Sequence, residues 1–347
     1  MKRIKQPVPL SQQMRRHATK LRRTTGEDKY VGDDKIMIST GSTLLNLAIA
    51  GGRVHGGGLP GGILVEVFGP AGSGKTVLLC EIAGAVQRQG GDVMFGDPEA
   101  RLNKQFAQQF DLNINKMQYS NPDTVPEIFK AVREWKPEGK NINGIFADSL
   151  AALSTDLELD EGDKMGMRRA KEFSEELRKT CRTLTRENYL MVCSNQVRQS
   201  MEQFGPRYRS PGGEAVGFYS SLRLRTSTPE KIKRKSEVSE RSITRVIGVK
   251  IEVEIFKSTI WKPYHTAPLT ILFDYGIDDI RENLQFIKDH TKNTIYMIGD
   301  TKLDKSLEKS IHIVEQQKLE QELQDKVIDL WEDIERRFKS DRKLKQR

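Results

Sequence analysis

The segment GPAGSGKT, Gly69 to Thr76, follows the apolar run ILVEVF directly and opens the helical pattern TVLLCEIAGAVQRQ. No other feature limits the fold as much. A G-x-x-x-x-G-K-[ST] loop needs a buried strand behind it and a helix ahead of it, so that backbone N–H groups can wrap phosphate and the helix N-terminus can add its dipole. The spacing predicts a nucleoside triphosphate site built from Gly69, Pro70, Ala71, Gly72, Ser73, Gly74, Lys75, Thr76 and Val77. Lys75 reaches the β- and γ-phosphates there, and the Thr76 hydroxyl ligates magnesium.

The rest of the chain supplies the sheet that such a loop requires. DVMFG, IFAD and YLMVCSN are short apolar runs suited to buried parallel strands. Helical patterns lie between them, over ARLNKQFAQQF and from about Arg168 to Glu187. The alternation predicts an α/β fold with a mostly parallel, doubly wound sheet. SLRLRT, VIGVKIEVEIFK and LTILFD then read as consecutive strands of an antiparallel flank, with the charged insert PEKIKRKSEVSER between the first two. From about residue 276 the chain turns helical. Leu319, Leu323, Val327, Leu330, Trp331, Ile334 and Phe338 recur at spacings of three and four, which predicts a small C-terminal helical module with one apolar face.

Charge and composition narrow the partners. The net charge of +9 sits in the tails: residues 1–30 carry +7, residues 339–347 carry +4, and the remainder sums to −2. Basic tails either stay solvated or draw the protein toward a polyanion such as nucleic acid. No apolar run approaches the roughly 18 residues of a membrane span. The N-terminus lacks the apolar centre of a secretory signal, so the expected location is cytoplasmic, with no membrane partner. Cys80, Cys181 and Cys193 are widely spaced, and the five histidines are scattered. They predict small buried thiols in a reducing compartment and no site of His and Cys ligands.

Two strand ends carry acids. Asp148, closing IFAD, is placed to hold magnesium through water. Glu99, in DPEARL, either faces the γ-phosphate and polarises an attacking water or complements a helix N-terminus after Pro98. A third strand end opens into SNQVRQSMEQFGPRYRSPGGEAVGF, Ser194 to Phe218, an unusually long connection rich in arginine, aromatics and glycine. Its composition alone reads equally as a solvated connector or a DNA-binding loop.

Together with ISTGS, GGLPGG, ADSLAAL, EGDKMGMRRA and FDYGID, in that order over roughly residues 38 to 280, these segments resemble the RecA family of DNA recombinases. The bacterial type is the nearer match, and the divergence from it suits a phage or mobile-element copy. The resemblance implies a RecA-like fold in three parts: a basic N-terminal segment (1–37) where relatives carry a subunit-docking helix, an ATPase core (38–280), and the C-terminal helical module with a basic tail (281–347). The cofactors it implies are ATP and Mg2+.

By position, the resemblance makes Glu99 the water-activating carboxylate. It sets Asn103 near the adenine base and Phe106 against it, although Phe106 also reads as core packing on a helix. Gln196 becomes the γ-phosphate sensor. Lys257 becomes a cation reaching the neighbouring subunit's ATP, and Phe218 part of the subunit interface. Thr259 replaces a second lysine of that pair, for which Lys262 is the candidate substitute.

Two loops, about 161–171 and 197–213, are implied to bind single-stranded DNA. Arg168, Arg169, Lys171, Arg198, Arg207 and Arg209 can neutralise phosphates there, and Gly212 and Gly213 let backbone N–H groups come close. Met165 and Phe204 can pack against bases and Tyr208 can stack on them.

The expected function is an ATP-dependent recombinase that forms a helical filament of its own copies on single-stranded DNA and exchanges strands with a homologous duplex, aided by loading or single-strand-binding proteins. Two rivals remain: a helicase or DNA-loading motor on the same core, and a regulatory ATP-binding relative that does not exchange strands.

Overall fold

Strand β1 (Ile63–Gly69) lies inside the sheet, paired in parallel with β5 (Leu190–Gln196) on one side and β8 (Leu222–Thr226) on the other. Both of its faces are covered, so its sequence is a nearly unbroken apolar run rather than an alternating one. Val65 and Val67 join one hydrophobic cluster and Leu64 the other. This is a computed structural model, and it describes residues 36–102, 104–154, 166–196, 198–199, 208–209, 215–238 and 241–342. The expected N-terminal segment lies almost wholly outside them.

Beyond β5 the sheet continues in parallel through β4 (Gly144–Ala147), β2 (Val93–Gly96) and β3 (Met117–Ser120). Beyond β8 it turns antiparallel through β10 (Arg241–Ser258), β11 (Thr266–Leu272) and β12 (Gly276–Ile277), while β9 (Glu230–Val238) pairs along β10. The expected mostly parallel sheet with an antiparallel flank is therefore present, with ten strands in all among the described residues.

Nine α-helices occur among the described residues. On one face, α1 (Thr43–Ala50) and α2 (Lys75–Arg88) pack with three C-terminal helices into a single apolar cluster. These are α7 (Asp279–Asp289), α8 (Leu307–Gln317) and α9 (Glu320–Arg337). On the other face, α4 (Val125–Glu134) and α5 (Gly166–Glu187) bury Phe129 and Phe173 against β4 and β5. The two remaining helices are short: α3 (Lys104–Gln108) and α6 (Ala215–Tyr219).

Local chemistry sets the helix starts. Ser42 accepts from Leu45 N at the start of α1, and Thr124 accepts from Glu127 N at the start of α4. The C-terminal helices are stitched to the core by polar contacts as well. Asp279 accepts from both Thr43 N and Thr43 Oγ1 at 2.7 Å, and Trp331 of α9 packs on Trp261, ring centroids 5.3 Å apart.

Two local expectations need correction, and one segment takes a form the sequence left open. The helical pattern over residues 100–110 yields only the five residues of α3, because the chain before it is held in a turn by Asp97. The charged insert, left without an assigned form by the sequence, mostly forms β9, whose main chain pairs with β10 from Glu230–Lys250 to Val238–Arg241. On α9, Leu323, Val327 and Trp331 are buried as expected, but Phe338 is exposed and Ile328 is buried in its place. No helix among the described residues is long and apolar enough to cross a membrane.

Candidate nucleotide site and adjoining loops

At its C-terminal end β1 passes into the glycine loop, and α2 begins at Lys75. Gly74 caps that helix at φ +73, a left-handed conformation that glycine adopts without strain, and a Cβ there would run into Ile271. Ser73 is fully buried. Its hydroxyl donates to Pro70 O at 2.8 Å and shares a 2.7 Å hydrogen bond with Thr226 Oγ1, which fastens the loop to β8.

The Lys75 ammonium is folded into the loop, donating to Gly69 O at 3.1 Å and Pro70 O at 2.7 Å. Burial holds its pKa below the usual lysine value, against the opposing pull of the Asp148 and Glu99 carboxylates. Both acids therefore lie within electrostatic reach of the ammonium.

Thr76 Oγ1 donates to Asp148 Oδ2 at 2.6 Å, and Ser194 Oγ of β5 donates to Asp148 Oδ1. Next to Asp148 in the chain, the Ser149 hydroxyl is buried and has no hydrogen-bond partner among the described residues. A hydroxyl bonded to a carboxylate is an all-oxygen pair, which fits a hard cation that keeps most of its waters. No three His, Cys, Asp or Glu side chains converge as a metal cage among the described residues. Magnesium bound with phosphates needs only one or two carboxylates.

Glu99 sits on a tight turn at the end of β2. Ala100 N donates to Asp97 O at 3.1 Å, closing the turn, and Ala100 has φ +50. The buried Asp97 carboxylate accepts from Leu102 N at 2.8 Å and from the Tyr119 hydroxyl at 2.9 Å. Glu99 itself is ion-paired to Arg101 at 2.7 Å. Phe106 is partly buried on α3, edge-on to Phe110 with ring centroids 4.9 Å apart, so the core-packing reading describes its protein contacts. Asn103 lies outside the described residues.

Gln196 ends β5, one residue beyond the Asn195 amide that donates to the buried Glu66 at 3.0 Å. Past it, β6 (Arg198–Gln199) and β7 (Tyr208–Arg209) pair as a small antiparallel ladder, with Arg198 opposite Arg209. Arg168 and Arg169 lie on the first turn of α5, and Lys171 follows, exposed, 4.0 Å from Glu175. Met165, Phe204, Arg207, Gly212 and Gly213 lie outside the described residues, and only the backbone of Arg168, Arg169, Arg198, Tyr208 and Arg209 is described.

The Lys257 ammonium donates to Gly217 O and Phe218 O at 2.9 Å, at the end of α6. The Phe218 side chain stands exposed. Lys262 is occupied by Glu335 of α9 at 3.0 Å.

Sequence reasoning gave no role to Asp97, Arg101, Ser149 and Ser194, and named Ser73 only as a member of the phosphate loop. Only Arg101 carried a signal, a lone cation two residues from the candidate base in DPEARL. Ser194 read as an ordinary small polar residue until the fold set it against Asp148, and the bonds of Ser73 to Pro70 and Thr226 were likewise not readable from the motif.

The RecA N-terminal domain family model matches residues 23–278. Among curated proteins the chain is similar to Protein RecA of Delftia acidovorans, 33% identical over 255 residues, 73% of this chain and 65% of that one. The chain thus spans just under two thirds of that relative. It is also similar to Protein RecA of Borrelia hermsii, 30% identical over 86% of this chain and 82% of that one, and of Borreliella afzelii, 31% identical over 89% and 81%. A solved structure, the RadB recombinase, aligns over 70% of this chain and 98% of its own, with TM-score 0.49 and 18% identity. With the family model covering well over half of its length, this chain belongs to the RecA family.

Proposed function

We propose that the protein is an ATP-dependent DNA recombinase that assembles on single-stranded DNA and exchanges it into a homologous duplex. The observation that carries this reading is the convergence on β5. Ser194 of that strand holds Asp148, the acid bonded to Thr76, and two residues later Gln196 leads into the arginine-bearing ladder of β6 and β7. The nucleotide site and the basic loop of this reading would thus share one strand end.

Gly69 to Val77 would wrap the triphosphate, with Lys75 turning from the loop carbonyls to the phosphates. Thr76 and Asp148 would hold magnesium, with Ser149 facing its water. When bound, that ion would screen the phosphate charge. Glu99 would accept a proton from the attacking water. Gln196 would report the γ-phosphate to the loop over about 197–213, so that nucleotide and DNA affinity are linked in both directions. Sequence recognition would come from base pairing, so the protein needs only phosphate contacts and stacking.

Lys257 would serve the neighbouring subunit's nucleotide after leaving the α6 carbonyls, and Phe218 would enter the subunit contact. The chain would work in three parts, residues 1–37, 38–280 and 281–347, with two DNA loops in the second.

One observation favours a second reading, a regulatory ATP-binding relative that exchanges no strands: Thr259 stands where the second lysine is expected, and Lys262 is engaged by Glu335. Strand exchange between a circular single strand and a homologous linear duplex separates the two. Joint molecules that require ATP support the recombinase, and nucleotide-dependent DNA binding without joint molecules supports the regulator.

A further inference from the structure

Arg101 has no part in the cycle just described, yet it is the cation paired with Glu99. Its Nη1 lies 2.7 Å from Glu99 Oε2, with the guanidinium 74% exposed and the carboxylate 20% exposed. The pairing is set by the backbone. The β-turn from Asp97 to Ala100, with Pro98 at its second position and Ala100 at φ +50, turns the side chains of residues 99 and 101 onto one side. Asp97 holds that turn from within, through Leu102 N and the Tyr119 hydroxyl. Arg101 is therefore mounted on a fixed loop even though its own tip is in solvent.

The charges define what this cation can do. Asp148 and Glu99 both act on the Lys75 ammonium, so the phosphate end of the site carries two carboxylates against one buried ammonium. A terminal phosphate brought next to Glu99 meets like charge. The guanidinium end of the pair is open to water, which screens the attraction, so Glu99 does not hold Arg101 firmly. The guanidinium has five donors in a planar fork, and Glu99 takes one of them in the described ion pair. Such a group can bridge a carboxylate and a phosphate at once.

We propose that Arg101 is a ligand of the terminal phosphate, bridging it to Glu99, and that it makes the site prefer a nucleoside triphosphate over a diphosphate. The inference rests on the nucleotide reading of the Gly69–Val77 loop.

The test is calorimetric titration of the full-length protein, with magnesium, by ADP and by the non-hydrolysable analogue AMP-PNP, comparing wild type, Arg101→Gln and Lys75→Ala. A charge-assisted contact of this kind predicts that Arg101→Gln weakens AMP-PNP roughly tenfold while changing ADP less than about twofold. Equal losses for both ligands, or none, would overturn the proposal, since a merely structural arginine does not distinguish them. If Lys75→Ala weakens both ligands and Arg101→Gln neither, only the Arg101 assignment falls. If Lys75→Ala leaves both unchanged, the nucleotide site and the assignment fall together.

Discussion

The Thr76 hydroxyl donates a 2.6 Å hydrogen bond to Asp148 Oδ2, tying the first turn of α2 to the end of β4, two places along the sheet from β1. Ser194, on the intervening strand β5, closes on the other carboxylate oxygen. Both oxygens of the candidate metal-holding acid are thus oriented from within the fold.

Ser194→Ala removes one of those anchors without touching Thr76 or Asp148. Partners of this type typically carry 10- to 100-fold in metal affinity. The magnesium concentration giving half-maximal nucleotide hydrolysis is expected to rise roughly tenfold in Ser194→Ala, with little change in the ATP concentration required at saturating magnesium. An unchanged magnesium requirement would remove Ser194 from the metal site.

Glu81 lies on α2, away from the phosphate loop. Burial raises its pKa above the usual carboxylate value, outweighing the Ile277 N–H and Arg88, while Asp279 and Asp111 add to the rise. The folded state therefore holds the proton more tightly than the unfolded chain. That contribution to stability is complete below the unfolded value of about 4.3 and is lost as pH rises through the higher folded value. Glu81→Gln removes the loss, so its melting temperature should exceed that of wild type at pH 7 and approach it near pH 4. Equal shifts at both pH values would point to a packing effect instead.

Trp331 fastens α9 to the segment after β10, packed on Trp261 and near His265, while Glu335 of the same helix takes Lys262 and His265. Trp331→Ala should cost about 3–5 kcal/mol. In urea this is read as a lower midpoint with an unchanged slope. A separate early transition would show instead that the C-terminal helices unfold on their own.

The loop over about 197–213 carries the DNA reading. Arg207→Ala/Arg209→Ala should weaken binding to oligothymidine and flatten its dependence on salt, by about 0.7 in the log–log slope for each phosphate no longer neutralised. A weaker complex with an unchanged slope would mean that these arginines shape the loop without meeting phosphate.

The phosphate loop, the strands around it and the α5 helix were legible because each has a local cause: glycines at left-handed positions, apolar runs buried on both faces, and an amphipathic period. What escaped depends on partners distant in sequence. β9 has no buried face to leave a pattern in Lys231 to Lys235, and its strand form rests on main-chain pairing with β10. The truncation of α3 comes from Asp97 taking the Leu102 N–H. Phe338 continues the apolar spacing of α9 past the point where the core ends, so it is left exposed. Ser149 and Ser194 have no pattern at all and acquire meaning only from the strand order that gathers β1, β5 and β4. Lys257 was assigned to a neighbouring subunit by resemblance alone, and its bonds to the α6 carbonyls were not readable from sequence.

The nucleotide site and the basic loop are proposed to work as one unit through the end of β5. Steady-state ATP hydrolysis with magnesium, measured with and without single-stranded oligothymidine, tests this most directly in wild type, Lys75→Ala and Arg207→Ala/Arg209→Ala. Coupling through β5 predicts strong stimulation by DNA, abolished in Lys75→Ala and selectively weakened in the loop double variant. Equal rates with and without DNA in the wild type would contradict it.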